Sequence, residues 1–232
     1  MKIFNMDCLS LMKSDTFKEM VTDRKVCIVT DPPFNVGYHY DKYKDNMKEE
    51  DYYNFLNEIL TMYDFPFVVI HYPEQLYKLA FKVNKTPTKI VSWVYNSNTA
   101  KQHRDIGFFG IKPDFSKVRQ PYKNPNDKRI AERIKKGITG GRLYDWWEIN
   151  QVKNVSKNKW GGINHPCVMP LEVMNRVIGI LPNDYIIFDP FLGSGTTAIA
   201  CKKNNREFIG CEIDKDYFDI CIRRTNENAT II

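Results

Sequence analysis

The sequence predicts an α/β protein built on a doubly wound, mostly parallel sheet, with a basic insertion part-way along the chain. Two observations predict the sheet. Apolar runs of strand length alternate with helical patterns over residues 1–97, and the alternation resumes from Pro170. A third observation marks the insertion. Residues 98–160 lose the rhythm, are punctuated by Pro113, Pro121, Pro125, Gly137, Gly140 and Gly141, and hold 15 Lys plus Arg against 6 Asp plus Glu. The rest of the chain holds 19 against 22, so the positive field belongs to one segment. At 232 residues, with 43% hydrophobic and 13% aromatic content, the chain suits one large domain and excludes disordered, collagen-like and low-complexity classes.

Taken in order, residues 26–30 form a β-branched apolar run that stops at Asp31-Pro32-Pro33, because Pro33 forces Pro32 into extended geometry. Tyr52, Phe55, Leu56, Ile59, Leu60 and Tyr63 then recur at steps of three and four, the mark of a helix with one buried stripe. Residues 67–70 and 90–95 read as strands, separated by a helix around Leu76, Leu79 and Ala80. Inside the insertion one basic helix stands out: Asn126 as N-cap, Ile130 and Ile134 on one face, Gly137 as stop. After it come a helix lined by Leu171, Met174, Ile178 and Leu181, a strand at 185–188, a helix at 196–203, a strand at 208–211 and a last helix through Tyr217, Ile220 and Cys221.

No apolar run approaches the length of a membrane span, and the start lacks the apolar stretch of a signal peptide, so a soluble, unexported, cytoplasmic protein is expected. The cysteines Cys8, Cys27, Cys167, Cys201, Cys211 and Cys221 include no Cys-x-x-Cys pair and the histidines are scattered. Reduced thiols and no metal site are expected. The basic segment, with aromatic residues among its charges, favours a polyanion such as nucleic acid; a solvated lysine-rich surface is the alternative.

Two short segments carry chemistry. Asp189-Pro190-Phe191-Leu192-Gly193-Ser194-Gly195-Thr196-Thr197-Ala198 follows a strand and opens a helix, and Gly193, Gly195 and Ala198 fit the G-x-G-x-x-G/A fingerprint of ligand-binding strand-to-helix turns. Glu212, 19 positions after Gly193, ends the next strand where a carboxylate accepts from ribose hydroxyls. No Gly-Lys-Ser/Thr follows, which excludes a phosphate-binding P-loop. Asp31-Pro32-Pro33-Phe34 lies at the carboxyl end of a core strand and joins a carboxylate, a rigid backbone and an aromatic ring. Those parts suit an exocyclic amine on a flat base, with Asp31 and the Pro32 carbonyl as acceptors and Phe34 as stacking surface.

Asp-Pro-Pro-Phe near one end, Asp-x-Phe-x-Gly-x-Gly near the other and a basic insertion between them resemble the S-adenosylmethionine-dependent DNA amino-methyltransferases in the permuted order called the beta class. The resemblance covers nearly the whole chain. It implies a circularly permuted Rossmann-like fold with residues 1–97 and 161–232 forming one catalytic domain and 98–160 a target-recognition insertion. Asn5-Met6-Asp7-Cys8 looks like the family's opening strand, which implies cofactor contacts from Asp7 and Cys8. Asn164-His165-Pro166-Cys167-Val168-Met169-Pro170 resembles its His-Pro-x-x-x-Pro segment, implying that His165 and Pro166 help hold the cofactor's methionine moiety. The same likeness assigns Asp189, Pro190, Phe191, Gly193, Ser194, Gly195, Thr196, Thr197 and Glu212 to the cofactor. Two departures stand out: Val168-Met169 replaces the frequent Gln-Lys, and Phe34 replaces the commoner tyrosine.

The function so implied is sequence-specific methylation of adenine N6 in a flipped-out base, with Asp31, Pro32, Pro33 and Phe34 at the reacting amine. Lys128, Arg129, Arg133, Lys135 and Lys136 are the expected DNA contacts. Cytosine N4 is the alternative target. A nicotinamide-dependent dehydrogenase would share Gly193, Gly195 and Glu212 but not explain Asp31 to Phe34, and a catalytically silent nucleic-acid-binding module would explain only the charge. Besides DNA, a second copy of the chain and a restriction endonuclease are partners that the resemblance brings into view. No membrane is implied. Trp93 is expected in the core, with Trp146, Trp147 and Trp160 left between core and base stacking, and His71 and His103 are expected in ordinary structural or surface roles.

Overall fold

The computed structural model describes residues 1–37, 45–152 and 168–226. Strand β1 (Lys2–Asn5) leads into helices α1 (Cys8–Lys13) and α2 (Asp15–Val21), followed by β2 (Val26–Thr30). Two short helices form instead of one because Ser14 closes the first and its hydroxyl accepts from the Phe17 N–H at the start of the second. Next come α3 (Glu49–Thr61), β3 (Phe67–His71), α4 (Pro73–Lys82), β4 (Lys89–Val94) and β5 (His103–Phe109). Strand β6 (Arg119–Gln120), α5 (Lys128–Lys135) and β7 (Gly141–Arg142) form a small excursion before β8 (Trp146–Glu148). The chain ends with α6 (Leu171–Ile180), β9 (Ile186–Asp189), α7 (Thr196–Lys203), β10 (Phe208–Glu212) and α8 (Lys215–Asn226).

Eight strands make one sheet in the order β1, β10, β9, β2, β3, β5, β4, β8. The first five are mutually parallel, and β5 runs antiparallel to both β3 and β4. Alternating side chains give the sheet two cores. Val26 and Ile28 of β2 and Phe67 and Val69 of β3 face one cluster with α1 to α4, while Cys27, Val29, Val68 and Ile70 face the other with α6 and α7. Strands covered on both faces read as continuous apolar runs, which is why β2 and β3 are legible in sequence.

Two stretches within residues 98–160 join this sheet. Strand β5 inserts between β3 and β4, and β8 pairs with β4 in parallel. Arg104 and Asp105, both buried, interrupt the apolar pattern of β5 and hide it from a periodicity search. The basic helix spans Lys128–Lys135 with Asp127 rather than Asn126 as N-cap: the Asp127 carboxylate accepts from the Arg129 N–H at 2.9 Å. Gly137 ends it as expected, at φ 78°. Trp93 and Trp147 are core side chains and Trp146 is 40% exposed; Trp160 lies outside the described residues. No helix among the described residues is long and apolar enough to cross a membrane.

Phe188 of β9 is fully buried, with its ring 4.8 Å from that of Phe17 in α2. Phe188→Ala should therefore lower the unfolding free energy by about 3–5 kcal/mol, read from urea denaturation midpoints at unchanged slope.

Candidate active site

Five neighbouring parallel strands deliver polar side chains to one edge of the sheet. Asp7 lies just beyond β1, Glu212 ends β10, Asp189 ends β9, Asp31 follows β2 and His71 ends β3. The chain leaves β9 toward β10 on one side and β2 toward β3 on the other, so the β9–β2 pair is a topological switch point, where open α/β sheets bind ligands. A cavity of about 200 Å³ opens there. The first four carboxylates line it together with Pro32, Pro33, Phe34, Phe191, Gly193 and Thr196.

On the β2 side, Asp31 is half-buried, and its Oδ1 is a buried atom with no hydrogen-bond partner among the described residues. Burial pushes its carboxyl up to about 6, opposed by the Arg104 guanidinium, which stands 3.9 Å from Oδ2. Phe34 stacks on the His71 ring at 4.5 Å, and the Arg104 guanidinium sits 4.6 Å from the Phe34 centroid. After Phe34 the loop turns at Asn35, φ 56°. The buried Asp45 carboxylate holds this turn by accepting from the N–H groups of Asn35 and Val36 at 2.8 and 3.0 Å. The Asn35 side chain pairs with both backbone groups of Met47.

On the β9 side, Asp189 accepts from the Thr30 hydroxyl at 3.0 Å and the Phe191 N–H at 3.1 Å. Burial nevertheless raises its carboxyl to about 6. Gly193 adopts φ 54°, and its N–H donates to Glu212 Oε2 at 2.7 Å, while Glu212 Oε1 accepts from the Asp214 N–H. Burial raises Glu212 above the usual carboxylate range against those two bonds. A carboxylate has about four acceptor positions, so Glu212 keeps room for ligand hydroxyls. Thr196 Oγ1, at the start of α7, is buried with no partner among the described residues. Gly195 adopts φ 86°, does not line the cavity, and a Cβ there would meet Cys221 Sγ of α8 at 2.5 Å, so backbone conformation and packing both require glycine. The Ser194 hydroxyl is pinned by Arg224 at 2.8 Å.

Asp31 to Phe34, Asp7, Cys8, Asp189 to Phe191, Gly193, Ser194, Thr196, Thr197 and Glu212 all line the cavity. Asp7 lies beyond the strand that was expected to hold it and caps α1, accepting from the Ser10 N–H at 2.9 Å. Burial pushes the Cys8 thiol up to about 12, which leaves no reactive thiolate. His165, Pro166 and Cys167 lie outside the described residues. Lys128, Arg129, Arg133, Lys135 and Lys136 are exposed and do not line the cavity. Sequence reasoning missed Arg104, which no motif marks, and gave His71 only a generic role; its position at a strand's carboxyl end was the available signal.

A family model described as DNA methylase, of the N6/N4 type, matches residues 26–223. The chain belongs to this family and is a DNA methyltransferase by class. Among curated relatives, the type II methyltransferase M.HpaI of Haemophilus parainfluenzae is 28% identical over 224 residues, covering 85% of this chain and 67% of that protein. The cytosine-N4-specific PvuII DNA methyltransferase superposes with a TM-score of 0.65 at 17% identity, covering 98% of this chain and 86% of that one. The complex of M1.HpyAVI with S-adenosylmethionine superposes with a TM-score of 0.61 at 20% identity, covering 97% and 99%. At these identities the solved structures establish the shared fold.

A carboxyl raised by folding stabilises the protein below its unfolded value and loses that contribution as pH rises through the folded value. Asp31 moves from 3.8 to about 6, so the window is the interval between them. Asp31→Asn should thus be more stable than wild type above that window, by about 1–3 kcal/mol, and the advantage should vanish below it. Denaturation midpoints at pH values on either side of the window test this.

Proposed function

We propose that the protein transfers a methyl group from S-adenosylmethionine to the exocyclic N6 of an adenine flipped out of DNA. The observation that carries this reading is Asp31 Oδ1, an acceptor buried without a partner among the described residues, in the same cavity as the Gly193–Glu212 turn. The residues suit the cofactor. Glu212 retains acceptor positions, Thr196 Oγ1 is a buried polar atom without a partner among the described residues, and Phe191 and Met174 add apolar wall. Asp7, Glu212, Thr196 and Thr197 would hold it, with His165 and Pro166 at its methionine end. When bound, S-adenosylmethionine supplies an electrophilic methyl group on a sulfonium.

Asp31 and the Pro32 carbonyl take the two hydrogens of the target amine, and Phe34 supports the ring. The amine lone pair is delocalised into the base and becomes available only as the nitrogen pyramidalises. Both hydrogen bonds strengthen as positive charge develops there, which is differential stabilisation of the transition state. Asp31 then holds the proton that the methylated nitrogen releases, so no covalent enzyme intermediate is required. The ionised form of Asp31 is the acceptor, and the transfer rate should rise through pH values near 6.

The sheet order supports a permuted chain: β9 and β10, late in sequence, lie between β1 and β2. The excursion carrying α5, which has no buried side chain, is the proposed target-recognition region, with Trp146 and Lys123 stacked at 4.6 Å beside it. DNA is the proposed partner and the cytoplasm the proposed compartment. A second copy and a companion restriction endonuclease are the further partners to seek by size-exclusion chromatography and co-purification.

Nucleoside analysis of DNA incubated with the enzyme and labelled cofactor should yield N6-methyladenine. N4-methylcytosine alone would move the target base while keeping the amine chemistry, and 5-methylcytosine would overturn both. Asp31→Ala should abolish transfer with cofactor affinity retained, whereas Gly193→Asp should remove both, as calorimetry would read. Neutralising Lys128, Arg129 and Arg133 together should flatten the salt dependence of DNA binding, each lost phosphate contact removing about 0.9 from the log–log slope. An unaltered slope would assign α5 to a solvated surface.

A further inference from the structure

The Asp31-to-Phe34 segment has a mechanical problem that its sequence creates. Pro32 and Pro33 have no N–H, so the middle of the segment cannot be anchored by donating hydrogen bonds; it can be held only through its carbonyls or by packing. Upstream it is fixed by β2 and downstream by the Asp45 carboxylate at Asn35 and Val36. Between those anchors, the Tyr52 hydroxyl of α3 donates to the Pro33 carbonyl at 2.7 Å.

The direction of that bond is set one residue further back. His71 Nδ1 accepts the Tyr72 N–H at 2.9 Å, so Nδ1 carries no proton and the neutral ring bears its hydrogen on Nε2. Nε2 lies 2.8 Å from the Tyr52 hydroxyl and donates to it, which leaves the phenol hydrogen for Pro33. His71 and Tyr52 are 0% and 2% exposed. Burial, with the charges of Arg104 and Lys101 adding to it, pushes His71 down to about 3, so the ring is neutral and the relay keeps its polarity at neutral pH. The same imidazole stacks on Phe34 at 4.5 Å, with 21° between the planes. One buried ring thereby touches Phe34 directly and Pro33 through Tyr52.

We propose that Tyr52 and His71 are positioning residues of the methyl-transfer reaction, a one-way hydrogen-bond relay that holds the Pro33 carbonyl and the Phe34 ring, and through them the loop that receives the target amine. This rests on the function proposed above. Neither residue touches the reacting atoms, and each acts through Pro33 and Phe34.

The test is single-turnover transfer of labelled methyl to DNA at saturating cofactor, comparing wild type, Tyr52→Phe, His71→Phe and the double variant. Tyr52→Phe keeps the ring and its packing, and should slow transfer by about 10- to 100-fold while leaving affinities for S-adenosylmethionine and DNA unchanged. His71→Phe keeps an aromatic ring under Phe34 and should fall in the same range. The double variant should be no slower than the slower single one, because both break one chain of bonds. A general structural defect would instead weaken cofactor binding and multiply in the double variant. A wild-type rate in folded Tyr52→Phe or His71→Phe, or losses that multiply, would overturn the relay and leave the function standing. No transfer by the wild-type protein would overturn the functional reading and the relay with it.

Discussion

Everything at the cleft depends on the parallel pairing of β2 with β9, in which Val26, Cys27 and Ile28 lie beside Ile186, Ile187 and Phe188. The two strands are about 160 residues apart in sequence, yet this register brings Thr30 and Asp189 within hydrogen-bond distance, 3.0 Å, at the strand ends. Two loops with different chemistry thus open from one point. A slip of one residue would turn the apolar sets of β2 to the wrong faces, so the two cores on either side of the sheet hold the site in register.

The electrostatics of the cleft follow from the same convergence. Asp31, Asp189 and Glu212 are all raised by burial, and only Asp31 has a cation, Arg104, opposing the shift among its causes. Asp189 and Glu212 rely on hydrogen bonds from Thr30, Thr197 and backbone N–H groups. Collecting carboxylates at low exposure costs stability, a cost that the two apolar cores offset. Desolvation also strengthens each hydrogen bond made inside the cleft, which is what the proposed transfer needs at its developing positive charge.

The basic excursion obeys different rules. Helix α5 buries no side chain, so its charges are free of packing constraints, and its ends are secured locally by the Asp127 cap and Gly137. Strands β6 and β7 pair across its base, with Arg119 opposite Arg142 and Gln120 opposite Gly141. Such an element can change its surface without disturbing the sheet, which suits the proposed role of reading a particular DNA site.

Local pattern alone determined a good deal here: the buried strands β2, β3, β9 and β10, the amphipathic helix α3, the glycine turn at Gly193 and the acidic strand end at Glu212. These are legible because periodicity and turn chemistry act over a few residues. Strand β5 was not, since Arg104 and Asp105 are buried by partners that local sequence does not contain. Nor was the helix cap at Asp127, one residue from the expected Asn126, because both side chains suit the position and only backbone geometry chooses. The contacts of Arg104 with Asp31 and of His71 and Tyr52 with the proline loop were decided by tertiary structure alone. They join residues on separate strands and a helix, and their distances follow from sheet register and helix packing, which no short window of sequence encodes.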